Sequence, residues 1–509
     1  MDIPSLFMIP SAVSSGKVHS VFPNSTDADF DFNRDSDATR VNSEGLIERV
    51  GFYGAEKLSN NDFTNGLVGY SGTTNYSVVN NQLVANSSGL IYQGSILTNS
   101  TFYKFTIDIE SVTSGGIKAY ANGNQSAVIT TAGIHTLIIQ AGTSNTLAGL
   151  NPQGTFIGVI NSISFKEVLG NRARLNYEIE GGLVNTKPSL LLEPQRTNLI
   201  KYSNDYTQSE WNKISGATVD ANVAISPDGT LNASRLNFNT VVGSRMEDQI
   251  ASASSGDYSF AVYLKADEPK TVGIRTGFAG TATVNVNVTT EWQRFSITQN
   301  NPTNPANGYA QIRSIDASGG SVYVWGAQIE QLSYSTSFIP TNGSSQTRAA
   351  ETCNGAGTSS ILPSEEGILY AEIAALSDSI TTSVFSISNG SSANTLYMGF
   401  PNTTNVIQAQ LVVGGAAQTN MNHTVSDRTS FNKVAVLFRN NNHKMFIGGV
   451  EVETDTSGST PSAGTFDRIN FDLGQGSFDF YGKIRDIRVY NTKEMTDSEV
   501  DILLTKITS

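Results

Sequence analysis

Phe102–Glu110 reads FYKFTIDIE, Tyr258–Ala266 reads YSFAVYLKA, Thr283–Trp292 reads TVNVNVTTEW and Ser321–Leu332 reads SVYVWGAQIEQL. In the first, Tyr103, Phe105, Ile107 and Ile109 alternate with Lys104, Thr106, Asp108 and Glu110. A strand turns successive side chains to opposite faces, so a period of two marks a sheet with one dry and one wet side. Such runs recur along the whole chain, separated by Gly/Asn/Ser/Asp clusters every ten residues or so. That pattern predicts antiparallel sandwiches or barrels. Helical periodicity is confined to the C-terminus, TDSEVDILLTKIT. There Thr496 and Glu499 form a capping box, and Val500, Leu503, Leu504 and Ile507 share one face.

The composition narrows the class further. The chain has 509 residues, 32 Lys+Arg against 45 Asp+Glu, and a formal net charge of −13. Only 15% of residues are charged, while 38% are hydrophobic and 46 are Gly. Its polar surface therefore rests on Asn, Ser, Thr and Gln. So few cations make a poor phosphate-neutralising surface, which argues against nucleic-acid binding. No window approaches the ~20 apolar residues of a membrane span, so no membrane insertion is expected. Cys353 is the single cysteine and cannot form an intrachain disulfide, and four scattered histidines do not make a Cys/His zinc site. The opening MDIPSLFMIPSAVSSGKVHS carries Asp2 early, Lys17 late, and Pro4 and Pro10 inside the apolar run, so no signal peptide is read.

Two stretches share an outline. Leu58–Val168 opens on LSNNDFTNGL and closes on GVINSISFKEV; Asn198–Pro340 opens on NLIKYSNDYTQSEWNK and closes on SVYVWGAQIEQLSYSTSFIP. They are read as diverged copies of one sandwich. The Ser/Gly/Thr-rich NGSSQTRAAETCNGAGTSS then leads into a third unit.

That third unit resembles the laminin-G-like and concanavalin-like lectin sandwiches. The resemblance is carried by GILYAEI from Gly367, FNKVAVLFRNNNHKMFIGGVEV from Phe431 and FYGKIRDIRVYNTKEMTDSEVDILL from Phe480. The first two units resemble carbohydrate-binding jelly rolls; in the second, SPDG at Ser226–Gly229, NASRL after it and TEWQRFSIT from Thr290 carry this. The flanking segments resemble virion fibre or appendage proteins of Bacteroidetes-infecting, crAss-like phages. The strings are LFMIPSAVSSGKVHSVFP from Leu6, ADFDFNRDSDATRVNSEGLIERVG from Ala28, ARLNYEIEGG from Ala173, PSLLLEPQRTNLI from Pro188 and FIPTNGSSQTRAA from Phe338.

The resemblance implies an all-β chain: an N-terminal virion-binding base, two jelly-roll sandwiches, and a concanavalin-like sandwich with one short terminal helix. The expected boundaries are an anchoring segment at 1–54, jelly rolls at 55–170 and 196–345, a connector at 171–195, a linker at 346–361 and a lectin domain at 362–509. In relatives of this type the LIEEV-like segment often runs straight into the ARLDY-like one, which implies that residues ~51 to ~170 are a module inserted into a base made from both flanks. The implied function is a head or tail fibre on the virion surface, made in a host cytoplasm. It would form a homotrimer, contact capsid or tail proteins, and engage host surface polysaccharide. A capsule depolymerase and a decoration protein that binds no sugar stay open as alternatives.

Specific sites follow from this reading. Leu6, Phe7, Met8, Ile9 and Pro10 are the proposed virion anchor, acting by strand addition. Of the three tryptophans, Trp292 and Trp325 lie in strand patterns and are expected in cores. Trp211 sits in a loop-like stretch and is the sugar-stacking candidate. The acidic run Asp27, Asp29, Asp31, Asp35 and Asp37 fails the calcium-loop pattern, because its sixth and twelfth positions hold neither Gly nor Glu. Phe30 and Phe32 alternating with Asp29 and Asp31 instead read as a half-buried strand. A structural Ca²⁺ held by backbone carbonyls is compatible with a jelly roll. Glu365 and Glu366 are adjacent and point apart on a strand. His135, His423 and His443 lack a nucleophile motif, so no catalytic residue is assigned.

Overall fold

The computed structural model describes residues 3–51, 53–169, 172–278, 281–301, 306–379 and 381–509. It is all-β apart from a single-turn 3₁₀ element and the terminal helix Asp497–Thr508. The chain forms two compact units: one from residues 1–50, 171–196 and 347–509, the other from 51–170 and 197–346.

The first unit contains two large sheets, beside the two-stranded pairs Thr39–Val41 with Ile47–Arg49 and Ile179–Glu180 with Leu183–Val184. An eight-stranded sheet runs Arg174–Asn176, Ser189–Leu192, Gly482–Asn491, Glu366–Ala375, Asn432–Arg439, His443–Ile447 and Val450–Asp455, with Leu6–Met8 also paired to Gly482–Asn491. A nine-stranded sheet runs Val13–Ser14, Lys17–Val18, Phe30–Asn33, Thr352–Ala356, Arg468–Asn470, Ser383–Ser388, Thr395–Phe400, Val406–Val413 and Ala416–Thr424. The expected anchor, connector and linker segments each contribute strands to the same two large sheets as the lectin-like region. Phe30 and Phe32 are buried and Asp31 is exposed, as the alternation predicts. The helix begins as expected: Thr496 Oγ1 accepts the Glu499 amide, and the Glu499 carboxylate accepts the Thr496 amide. Val500, Leu503, Leu504 and Ile507 pack on Ile368, Leu437 and Tyr490.

Three arginines and two glutamates are buried together in this unit. Glu351 accepts from Arg34 Nη1 at 2.7 Å, Arg174 Nε at 2.9 Å, the Glu193 amide at 2.9 Å and Arg174 Nη2. Glu193 pairs with Arg174 at 2.7 Å and Arg348 at 2.8 Å. Remaining guanidinium donors reach the carbonyls of Ser36, Val50, Thr39 and Pro194. All five side chains are essentially inaccessible. Burial alone would raise the Glu351 carboxyl, but the Arg174 and Arg34 charges hold it below its ordinary range. Arg34, Arg174, Glu193 and Arg348 come from the four internal strings that carry the fibre resemblance, so those strings meet in one core.

The second unit holds two sandwiches. In residues 53–168 a single eight-stranded sheet contains the 20-residue strand Phe102–Ala121 paired with the 22-residue strand Leu147–Val168. Register shifts between Asp108 and Gly116 bend the pair, as bulges do. Gly115, at φ +72°, sits where a Cβ would come within 2.3 Å of the Thr155 carbonyl oxygen. Side chains on both sides of the bend, Phe105 and Ile107 before it and Ile117 and Ala119 after it, share one core.

In residues 197–346 two separate five-stranded sheets face each other across a core. One runs Trp211–Ile214, Arg245–Ala253, Ala306–Arg313, Lys270–Arg275 and Val284–Val288. The other runs Thr218–Ile225, Leu231–Phe238, Gly320–Glu330, Gly256–Lys265 and Gln293–Asn301. The two sandwiches thus close differently, one by bending strands and one by stacking sheets. What they share is an Asn-rich opening segment that sends an aromatic into the core, Phe63 in one and Trp211 in the other.

Candidate functional site

Sheet faces turned away from the cores carry the exposed chemistry. In the 53–168 sandwich, Ile91, Ala119, Ala121, Ala148 and Leu150 point into the core. Their strand neighbours Tyr92, Tyr120 and Gly149 must then face outward. Register places Gln125, Tyr120, Gly149, Tyr92 and Ser71 in one row across successive strands. Strands lie about 4.8 Å apart, so the two tyrosine Cα atoms, one strand removed on each side of Gly149, stand roughly 10 Å apart. Gly149 is required there: a Cβ would sit 2.0 Å from the Ile91 carbonyl oxygen. The result is a row in which bare backbone lies between two half-exposed phenols. Asn145 Nδ2 donates to Tyr120 Oη at 2.6 Å, and Asn151 Nδ2 donates to Gln125 Oε1 at 3.1 Å. These contacts fix amides and a hydroxyl at the rim, with Lys118 beside Asn151. An aromatic wall offers an apolar face, while the amides supply directed donors and acceptors.

The nine-stranded sheet presents a second polar face. Asn470, Ser386, Tyr397, Gln410 and Asn420 are aligned across five strands. Tyr397 Oη donates to Gln410 Oε1 at 2.8 Å, and Gln408 Nε2 donates to Asn420 Oδ1 at 2.9 Å. Ser386 Oγ is buried without a hydrogen-bond partner among the described residues.

The residues singled out from sequence fall elsewhere. Trp211, expected to stack on a ligand from a loop, starts strand Trp211–Ile214 and is 1% exposed. Its Nε1 donates to the Tyr202 carbonyl at 2.8 Å and its ring leans on Tyr206, so no face is free to stack. Trp325 fills the core as expected, against Tyr263 and Phe338. Trp292, also expected in the core, is only half-buried and caps the Ile225 carbonyl at 2.9 Å.

Of the proposed anchor, Leu6, Met8 and Pro10 are buried, Phe7 lies under the Arg488 guanidinium at 4.7 Å, and Ile9 is half-buried. Phe7 pairs with Arg488 on one side and bridges Phe22 on the other. Strand addition needs a free edge, and this strand is already spent within its own sheet. The acidic run is dispersed: Asp29 binds His19 at 2.8 Å, Asp31 binds Lys17 at 2.6 Å and Asp37 pairs with Arg49. No group of three or more His, Cys, Asp or Glu suited to a metal ion occurs among the described residues. Glu365 and Glu366 bind different cations, Lys493 and Arg439. His135 contacts the Thr131 carbonyl, His423 contacts Glu453, and His443 is buried. Among the described residues no helix is long and apolar enough to cross a membrane.

Asp248 is a titratable group that the sequence did not flag. It pairs in register with Trp211 and lies on the core side of its strand, 5% exposed. Burial, with the Glu210 charge beside it and against the pull of Lys201, pushes its carboxyl up to about 6. A native acid that holds its proton more tightly than the unfolded one stabilises the fold at low pH. That contribution is lost as pH rises from the unfolded value near 4 through 6. Asp248→Asn is therefore expected to raise stability at pH 7 by on the order of 2 kcal/mol and to leave it unchanged at pH 4. Urea unfolding at the two pH values checks this; equal shifts at both would contradict it.

Comparison with known proteins places the C-terminal region. Residues 371–501 are similar to the concanavalin A-like lectin/glucanase superfamily. The matched stretch of this lectin-like fold spans the central strands of both sheets of the first unit and runs into the terminal helix. No curated protein matches the chain. Among solved structures, a CBM4 carbohydrate-binding module aligns over 29% of this chain and 89% of its own, at 18% identity and a TM-score of 0.19. The N-terminal CBM22-1–CBM22-2 tandem of Paenibacillus barcinonensis Xyn10C aligns over 56% and 98%, at 7% identity and a TM-score of 0.20. An exo-β-1,3-galactanase of Phanerochaete chrysosporium with β-1,3-galactotriose aligns over 58% and 69%, at 9% identity and a TM-score of 0.18.

Proposed function

We propose that this chain is a glycan-binding appendage of a virion surface, and that the Gln125–Tyr120–Gly149–Tyr92–Ser71 row is one of its saccharide sites. The observation that carries the binding role is the row itself. Two outward phenols flank a glycine that admits no side chain, with Asn145, Asn151 and Gln125 at the rim. A pyranose has an apolar C–H face suited to such a wall and a ring of hydroxyls suited to the amides. The lectin-like fold of residues 371–501 supports the same reading. Placement on a virion, contact with capsid or tail proteins and a homotrimeric state rest on the sequence resemblance of the flanking strings. Several weak sites on one oligomer would gain avidity without any single tight site.

The test is a glycan array probed with the full chain and with Tyr92→Ala/Tyr120→Ala. The double variant is expected to lose about tenfold or more in affinity for the glycans retained by the parent, since each ring contributes on the order of 1 kcal/mol. Undiminished binding by the double variant would remove this row from the function. Electron microscopy of phage particles, with this chain labelled, tests the virion placement; unlabelled particles would refute it.

A further inference from the structure

The outer face of the sheet that begins with Trp211–Ile214 carries an unusual charge arrangement. Met246, Ile250, Val272, Ile274, Ala310 and Ile312 point into the core, so Arg245, Glu247, Arg275, Gln311 and Arg313 point out. Register aligns Glu247, Gln311 and Arg275 in one row, and Arg245, Arg313 and Gly273 in the next. Three guanidiniums thus share a small patch with a single carboxylate, in a chain whose net charge is −13.

That carboxylate is committed. Glu247 Oε2 accepts from Arg245 Nε at 2.6 Å and from Gln311 Nε2 at 2.9 Å. The second contact orients the Gln311 amide and leaves its Oε1 buried without a partner. Arg275 and Arg313 have no hydrogen-bond or ion-pair partner among the described residues, and Arg275 Nε is buried unpaired. Gly273 lets Arg313 lie along the sheet: a Cβ there would stand 2.9 Å from Arg313 Cγ. Burial, together with repulsion from Arg245 and Arg275, pulls the Arg313 guanidinium below its ordinary value. Ordinary solvated arginines would spread away from one another or recruit acids. These are held together, half-buried, with the planar forks of Arg275 and Arg313 unspent while Arg245 donates to Glu247 and the Gly243 carbonyl.

We propose that Arg275 and Arg313, backed by Arg245 and Gln311, form a subsite for the oxyanion of an acidic polysaccharide, a uronate carboxylate or a sulfate ester. Guanidinium forks match both groups through paired N–H donors. Gln311 Oε1 accepts a neighbouring sugar hydroxyl. The inference rests on the glycan-binding reading and adds the ligand class at a second face of the chain.

The test is affinity electrophoresis of the full chain in gels containing polygalacturonate, dextran sulfate or neutral dextran. Retardation is expected in at least one acidic gel and not in neutral dextran; the two acidic gels separate carboxylate from sulfate recognition. A chain of net charge −13 has no general attraction to a polyanion, so retardation reports a local site. Arg275→Gln/Arg313→Gln is expected to weaken retention at least tenfold. Lys166→Gln/Lys506→Gln, which removes the same charge from exposed positions, is expected to leave it unchanged. The proposal is overturned if neither acidic polymer retards the chain, if the arginine variant is retained like the parent, or if the lysine variant loses as much. Array binding that still depends on Tyr92 and Tyr120 in such a case would leave the glycan reading standing and remove only the acidic ligand.

Discussion

Glu351→Ala is expected to destabilise the first unit by about 3–5 kcal/mol, the cost of leaving buried charges without their partner. The carboxylate accepts from Arg34, Arg174 and the Glu193 amide at a site with no accessible surface. Its removal leaves three guanidiniums to share Glu193. The same substitution should alter the response to acid. The native carboxyl sits below its ordinary range, so its contribution is complete above the unfolded value and is lost only as pH falls through the native one. Urea unfolding of the full chain, read by hydrogen exchange in residues 3–50 and 347–509, measures both effects. Glu365→Ala, which breaks an exposed pair with Lys493 at 3.4 Å, serves as the contrast and should cost less than 1 kcal/mol. A Glu351→Ala effect no larger than that of Glu365→Ala would show that the buried cluster contributes nothing net.

Trp211→Ala is expected to cost the 197–346 sandwich about 3–5 kcal/mol, the range for truncating a core aromatic. The indole touches Tyr206, with ring centroids 5.1 Å apart, and its N–H satisfies the Tyr202 carbonyl. Its loss opens a cavity and orphans an acceptor at once. Glycan binding that depends on Tyr92 and Tyr120 should survive in the fraction that remains folded, because those residues belong to a different sandwich. Hydrogen exchange confined to residues 197–346, beside an array measurement, distinguishes the two outcomes. A variant of unchanged stability with weakened sugar binding would return Trp211 to the role first expected from its sequence.

Strand alternation made the all-β architecture legible, and Thr496 and Glu499 announced the terminal helix outright. Those are local signals, readable within a few residues. What stayed hidden depends on register between distant strands. Nothing in FYKFTIDIE or GILYAEI reveals that Leu6 pairs with Val489. Nor do Tyr92 and Tyr120 attract notice until Gly149 is seen between them. Trp211 and Trp292 exchanged their expected places because a loop-like neighbourhood does not fix which way a side chain turns. The segments expected as anchor, connector and linker are rich in Asp, Arg, Ser and Gly, which normally mark exposed chain. Here Arg34, Arg174 and Arg348 pair with Glu193 and Glu351 in the interior, and composition alone cannot distinguish that from a solvated surface.

The pairing of Leu6–Met8 with the strand ending at Asn491 also sets an order of events during synthesis. Ser5 bonds to the Val489 carbonyl across 484 positions of sequence. At roughly 5–20 residues per second, a ribosome needs about half a minute to a minute and a half to supply that partner. Residues 51–170 and 197–346 have all their strands in hand long before then and can close first. The opening strands must wait meanwhile with apolar side chains uncovered and main-chain groups unpaired, in a form open to wrong pairing with a neighbouring nascent chain. A strand at residues 6–8 is thus completed only by one made about 480 residues later.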